Sequence, residues 1–89
     1  MLQLIHQKRF EKDLQKLLDG GKDQKKIKSI ITLLIQGKKL PPKNKNHKLK
    51  GKFAGLWECH IEPDWLLIYD KTVTELILMR TGSHSELFK

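Results

Sequence analysis

Residues 57–69 read WECHIEPDWLLIY, and their periodicity decides the fold. Trp57, Cys59 and Ile61 alternate with Glu58, His60 and Glu62, a period of two that belongs to a strand with one buried face. Pro63-Asp64 is turn chemistry. Trp65 to Tyr69 then runs back as a second strand. With two or four residues in the turn, Ile61 falls opposite Leu66 and Cys59 opposite Ile68, so those four share one face. His60 falls opposite Leu67, Glu62 opposite Trp65 and Glu58 opposite Tyr69, on the other. A bulge of one residue inverts the assignment for one strand.

Upstream the period is 3.6. Phe10, Leu14, Leu17 and Leu18 line one face of a helix over about 7–18, which Asp19-Gly20-Gly21 ends. Asp23 is an N-cap for a second helix carrying Ile27, Ile30, Ile31, Leu34 and Ile35, stopped by Gly37 and Pro41-Pro42. Leu2 and Leu4 alternate as a short first strand, and Glu75–Arg80 is a last one. The order β-α-α-β-β-β predicts an α+β fold in which a helical hairpin packs on one face of a small, mostly antiparallel sheet. Residues 1–89 make one domain.

Eighteen Lys and Arg against ten Asp and Glu give a formal charge of +8. That balance favours a polyanionic partner. From Gly37 to Lys52, GKKLPPKNKNHKLKGK holds seven lysines and no acid. Such a run is either a solvated loop or a phosphate-binding patch. One cysteine, Cys59, excludes an internal disulfide and fits a reducing cytoplasm. The opening MLQLIHQKRF does not read as a signal peptide. No apolar run is long enough for a membrane span.

The residues with chemical potential are His47 in the basic loop, His60 on the face away from the helices, Asp64 at the turn, Arg80 at a strand end and His84 in the tail. Trp65, Tyr69 and Phe88 are aromatic neighbours. Each has a plainer reading, as surface, turn, packing or ion-pair residue. Together they contain what RNA cleavage without a metal needs. A 2′-hydroxyl must lose a proton, a phosphorane must be stabilised and a leaving 5′-oxygen must gain a proton. Histidine serves both transfers near neutrality. Arginine matches phosphate oxygens with its fork, and aromatic rings stack bases. A metal site is the rival for the histidines and Cys59. The chain has no H-E-x-x-H or C-x-x-C, and adjacent Cys59 and His60 point to opposite faces.

The segments NHKLKG, HIEPDWLLIY and RTGSHSELF, in that order, resemble the YafQ-type branch of the RelE/ParE superfamily of bacterial type II toxins, over essentially the whole chain. The resemblance implies a RelE-like fold and an endoribonuclease that cleaves mRNA in the ribosomal A site, with no cofactor and no metal. It carries His47, His60, Asp64, Arg80 and His84 over as catalytic positions. His84 is the implied general acid, His47 or Asp64 with His60 the base or orienting group, and Arg80 the phosphate ligand. Trp65 and Phe88 are expected to hold bases, and Lys43, Lys45, Lys48, Lys50 and Lys52 to bind the RNA backbone. The implied partners are mRNA, the ribosome and an acidic antitoxin, with operator DNA reached only through the antitoxin complex. The alternative is a gyrase-inhibiting, ParE-like toxin without nuclease chemistry, which needs no acid–base groups.

Overall fold

Both segments of period 3.6 are helices in the computed structural model, which describes residues 1–88. Helix α1 spans Lys8–Asp19 and α2 spans Gln24–Ile35. Phe10 of α1 and Ile27, Ile30 and Leu34 of α2 are the buried anchors. The chain leaves α1 through Gly21 at φ +100°, a left-handed conformation that glycine adopts without strain. Asp23 then caps α2, its Oδ1 accepting the Lys25 N–H at 2.9 Å.

Five strands form one sheet in the order β1-β5-β4-β3-β2. They are β1 (Gln3–His6), β2 (His47–Lys48), β3 (Trp57–Glu62), β4 (Trp65–Lys71) and β5 (Glu75–Gly82). β1 pairs with β5 in parallel, and the other pairs are antiparallel. A short helix, α3 (His84–Leu87), follows β5. β2 and α3 add to the expected order. Two and four residues are too short to show a period.

The hairpin of β3 and β4 turns at Pro63-Asp64 with Glu62 opposite Trp65, as the two-residue turn requires. Beyond that pair the register shifts. His60 lies opposite Leu66, Cys59 opposite Leu67, Glu58 opposite Ile68 and Trp57 opposite Tyr69. Ile61 is the unpaired residue of a bulge, which inverts the expected faces of β4. Cys59, Trp65, Leu67 and Tyr69 therefore sit beneath the helices with Phe10, Leu76 and Leu78. Glu62, expected on the other face, reaches Lys22 and Lys26 at 2.7 Å each.

The face opposite the helices is not bare. Leu66 and Ile68 pack there under Leu87, with Leu49, Phe53, Leu56, Met79 and Phe88 around them. Residues 65–68 are each 0% exposed and Tyr69 1%. Burial on both faces is why WLLIY is a continuous apolar run and not an alternating one.

Candidate active site

The basic loop is pinned to the sheet at two asparagines. Asn44 Nδ2 donates to the His60 carbonyl at 2.7 Å, and the Tyr69 hydroxyl donates to Asn46 Oδ1 at 2.7 Å. Between them Lys45 has φ +45°, the one positive value on a non-glycine among the described residues. That conformation costs about 1–2 kcal/mol. It leaves the Lys45 carbonyl 2.7 Å from His47 Nδ1. The loop's strain thus fixes the orientation of a histidine ring.

β2 exists to carry that histidine. His47 pairs with Glu58 and Glu58 with Ile68, so one row across three strands lies on the face away from the helices; Arg80 of β5 pairs with Ile68, but its guanidinium turns to Asp13 of α1. His60 lies two residues from Glu58 on the same face. The Nε2 atoms of His47 and His60 lie 3.5 and 3.3 Å from the same oxygen, Glu58 Oε1. His60 Nδ1 faces the Pro63 carbonyl at 3.2 Å. Glu58 is 4% exposed.

The turn also seats the third histidine. Asp64 Oδ1 accepts the backbone N–H of His84 at 2.8 Å, at the start of α3. Ser83 caps that helix and Glu86 returns to the Ser83 N–H, a reciprocal pair of hydrogen bonds. The His84 ring is exposed and lies 4.8 Å from the Phe88 ring, which meets Phe53 edge-on at 5.5 Å. Adjacent residues of one turn thus contact His60, through the Pro63 carbonyl, and the His84 backbone, through Asp64. In this arrangement Asp64 holds backbone, not a ring.

Arg80 is not free. Its Nε donates to Asp13 Oδ2 at 2.6 Å and its Nη2 to Asp13 Oδ1 at 3.3 Å, which leaves Nη1 for another acceptor. Asp13 also accepts the Thr81 N–H. Here the plain ion-pair reading holds for one edge of the guanidinium.

Trp65 requires a correction. The expected exposed, base-stacking ring is 0% exposed, and its Nε1 donates to Thr81 Oγ1 at 2.9 Å. The bulge at Ile61 turned it beneath the helices. Phe88 remains half-buried beside His84. Lys43, Lys45, Lys48, Lys50 and Lys52 are all exposed. Lys43 and Lys45 line an open cleft of about 290 Å³ with Asn44 and His60. Lys48 lies over Trp57, and Lys52 over Phe53.

Burial, and secondarily the charge of Glu58, pushes the Cys59 thiol up to about 12. No reactive thiolate forms there. Among the described residues no group of three His, Cys, Asp or Glu side chains is arranged to hold a metal ion.

The family of bacterial toxins of type II toxin–antitoxin systems, YafQ, matches residues 2–89. The chain belongs to this family. The mRNA interferase toxin YafQ of Escherichia coli K12 is 41% identical over 80 residues, 89% of this chain and 87% of that one. A copper-bound mutant toxin from Helicobacter pylori superposes with a TM-score of 0.94 at 46% identity, covering 99% of this chain and all of that one. YafQ in the E. coli DinJ–YafQ complex superposes with a TM-score of 0.92 at 37% identity, with each chain fully covered.

Within this YafQ fold, sequence reading passed over four residues at the site. Glu58 was legible, because it shares a strand face with His60 at a spacing of two. Asn44 and Asn46 read as loop polarity. Asp13 carried no signal, since nothing local places a residue of α1 beside β5.

Proposed function

We propose that this YafQ-family toxin is an endoribonuclease that cleaves mRNA in the ribosomal A site by attack of a 2′-hydroxyl on the adjacent phosphate. The supporting observation is that His47 and His60 face one buried carboxylate, while Asp64 of the turn beside His60 accepts the backbone N–H of His84. His47 or His60 takes the 2′-hydroxyl proton. The 2′-oxygen bonds to phosphorus. The P–O5′ bond breaks, and His84 gives its proton to the leaving 5′-oxygen. The products are a 2′,3′-cyclic phosphate, which can open to a 3′-phosphate, and a 5′-hydroxyl. Nη1 of Arg80 is the donor left for the phosphate.

Phe88 holds a base, and the lysines of 43–52 bind phosphates across the cleft mouth. The +8 charge suits an acidic antitoxin segment, and the E. coli relative is known in a complex with DinJ. Operator DNA is reached only through that complex. With ribosome-bound mRNA as substrate, the toxin works in the cytoplasm.

The test is cleavage of an mRNA in a reconstituted translation reaction, with end-mapping and phosphatase treatment of the products. Codon-spaced cuts bearing cyclic or 3′-phosphate ends are expected, and His84→Ala should abolish them. Intact mRNA together with trapped gyrase–DNA complexes would replace this reading with the ParE-like one.

A further inference from the structure

We infer that Tyr69 is a positioning residue of the cleavage site, its buried hydroxyl holding Asn46 and through it setting the ring of His47 on the opposite side of the sheet. The inference rests on the nuclease reading above. Asn46 and His47 are neighbours at the entry to β2, so their side chains leave on opposite faces. Asn46 turns to the helix side, where the Tyr69 hydroxyl donates to its Oδ1 at 2.7 Å. His47 turns to the other side, toward Glu58. One hydroxyl of the core thus grips the chain a single residue before a histidine of the site.

The anchor sits in the core, and the segment it holds does not. The Tyr69 ring is 1% exposed and stacks on Trp57 at a centroid distance of 6.5 Å and an interplanar angle of 15°. Burial, then the neighbouring Cys59, pushes its phenol up to about 12, with the Asn46 hydrogen bond acting the other way. The hydroxyl therefore keeps its proton and donates at neutral pH. Lys45, Asn46 and His47 are exposed. β2 has two residues at one edge of the sheet, shorter than the usual strand. The turn before it is strained, with Lys45 at φ +45°. A residue with a Cβ keeps that conformation only where its surroundings hold it. That conformation brings the Lys45 carbonyl to 2.7 Å from His47 Nδ1. A carbonyl only accepts, so Nδ1 donates, and the bond sets the ring plane and the tautomer together. The Tyr69–Asn46 bond closes the turn one residue past its strain.

The experiment compares Tyr69→Phe, which keeps the ring and removes the hydroxyl, with Asn46→Ala, which removes the acceptor, and Asn46→Asp, which keeps one. Each is measured for thermal stability, RNA binding and single-turnover cleavage of ribosome-bound mRNA at saturating toxin. Tyr69→Phe and Asn46→Ala should each slow cleavage about 10–10²-fold with RNA affinity unchanged, the scale of a slightly misplaced reacting group. The double variant should be no slower than either alone, because both cut the same bond. Asn46→Asp should retain most of the rate. The melting temperature of Tyr69→Phe should fall by about 4–8 °C, the scale of one hydrogen bond in a domain of this size. Histidine ring ¹⁵N spectra supply an arm that needs no activity. The His47 signals should move in Tyr69→Phe and in Asn46→Ala, toward a mixture of tautomers, while those of His6 and His84 stay. Loosened core packing alone would not single out a ring on the far side of the sheet.

An unchanged cleavage rate in Tyr69→Phe and Asn46→Ala, additive losses in the double variant, or unmoved His47 signals would each overturn the role. If instead His47→Ala leaves cleavage intact, the nuclease site itself is misplaced, and the ring signals still decide whether Tyr69 sets the histidine. If Tyr69→Phe does not fold, Asn46→Ala against Asn46→Asp makes the same comparison with the core untouched, and equal rates in those two would overturn the role.

Discussion

Trp65 joins β4 to β5 and to the core beneath the helices through one side chain. Its ring fills space beneath α1 and α2, and its Nε1 donates to Thr81 Oγ1, which in turn donates to the Leu66 carbonyl at 2.7 Å. Trp65→Ala should therefore cost about 3–5 kcal/mol of stability. A urea titration would show this as a lower midpoint, while RNA affinity of the folded fraction stays unchanged. Asp64 acts at the same scale with a different consequence. Its carboxylate caps the His84 N–H, so Asp64→Ala should remove about 1 kcal/mol and let His84 drift from the leaving oxygen. Cleavage should fall, but by less than the about 10²–10⁴-fold expected for His84→Ala. The double variant should cleave no worse than His84→Ala alone in the same assay. An additive loss would give Asp64 chemistry of its own.

Helix α3 and the basic loop are elements that local propensity does not sustain. Four residues cannot hold a helix in water. α3 persists through the Ser83–Glu86 hydrogen bonds, the Asp64 contact and burial of Leu87. The Ser83 backbone N–H, then the Ser83 hydroxyl, holds the Glu86 carboxyl below its ordinary value, with Lys16 adding to the effect. A carboxyl lowered in the folded state stabilises fully above the unfolded value of about 4.3, and that contribution is lost as pH falls through the depressed value. On acidification, the protection factors of the Leu87 and Phe88 amides, whose N–H groups bond to Ser83 and His84 carbonyls, should fall before those of β4. Glu86→Gln should remove this pH dependence. The loop behaves differently, because its lysines are exposed. Replacing Lys43 or Lys50, which make neither of the ring contacts of Lys48 and Lys52 nor the positive-φ turn of Lys45, should leave stability alone. Where that lysine meets single-stranded RNA phosphate, the slope of log affinity against log salt should fall by about 0.7. Binding titrations over a salt series measure it.

Across the whole molecule, the pair of Asp13 and Arg80 ties the helical layer to the sheet beside the site. Asp13→Ala leaves Arg80 and the Thr81 N–H without their acceptor. It should cost about 2 kcal/mol, read as a lower melting temperature, and loosen Arg80 enough to slow cleavage as well. A melting temperature equal to wild type would show that the pair carries no stability. The features that span the molecule are also those that sequence reading missed. The two helices, their caps, the turn at Pro63-Asp64 and the period-2 strands were all legible. Each depends on dihedral preferences and burial faces within a few consecutive residues. His47, His60 and His84 were likewise legible as residue types suited to proton transfer, and a basic loop announced a polyanion. Sequence reading could not see that Ile61 bulges out of register, so Trp65 was placed on the wrong face. One unpaired residue flips every side chain beyond it, and its cost is decided by what the helices accept on the other side. The meeting of His47 with His60 on Glu58, and of Asp13 with Arg80, was equally hidden. By itself the sequence determined the two long helices, the four strands other than β2, their order and the chemistry available. The tertiary structure alone decided which face each group occupies and which groups meet, because those contacts join segments distant along the chain and no local pattern encodes them.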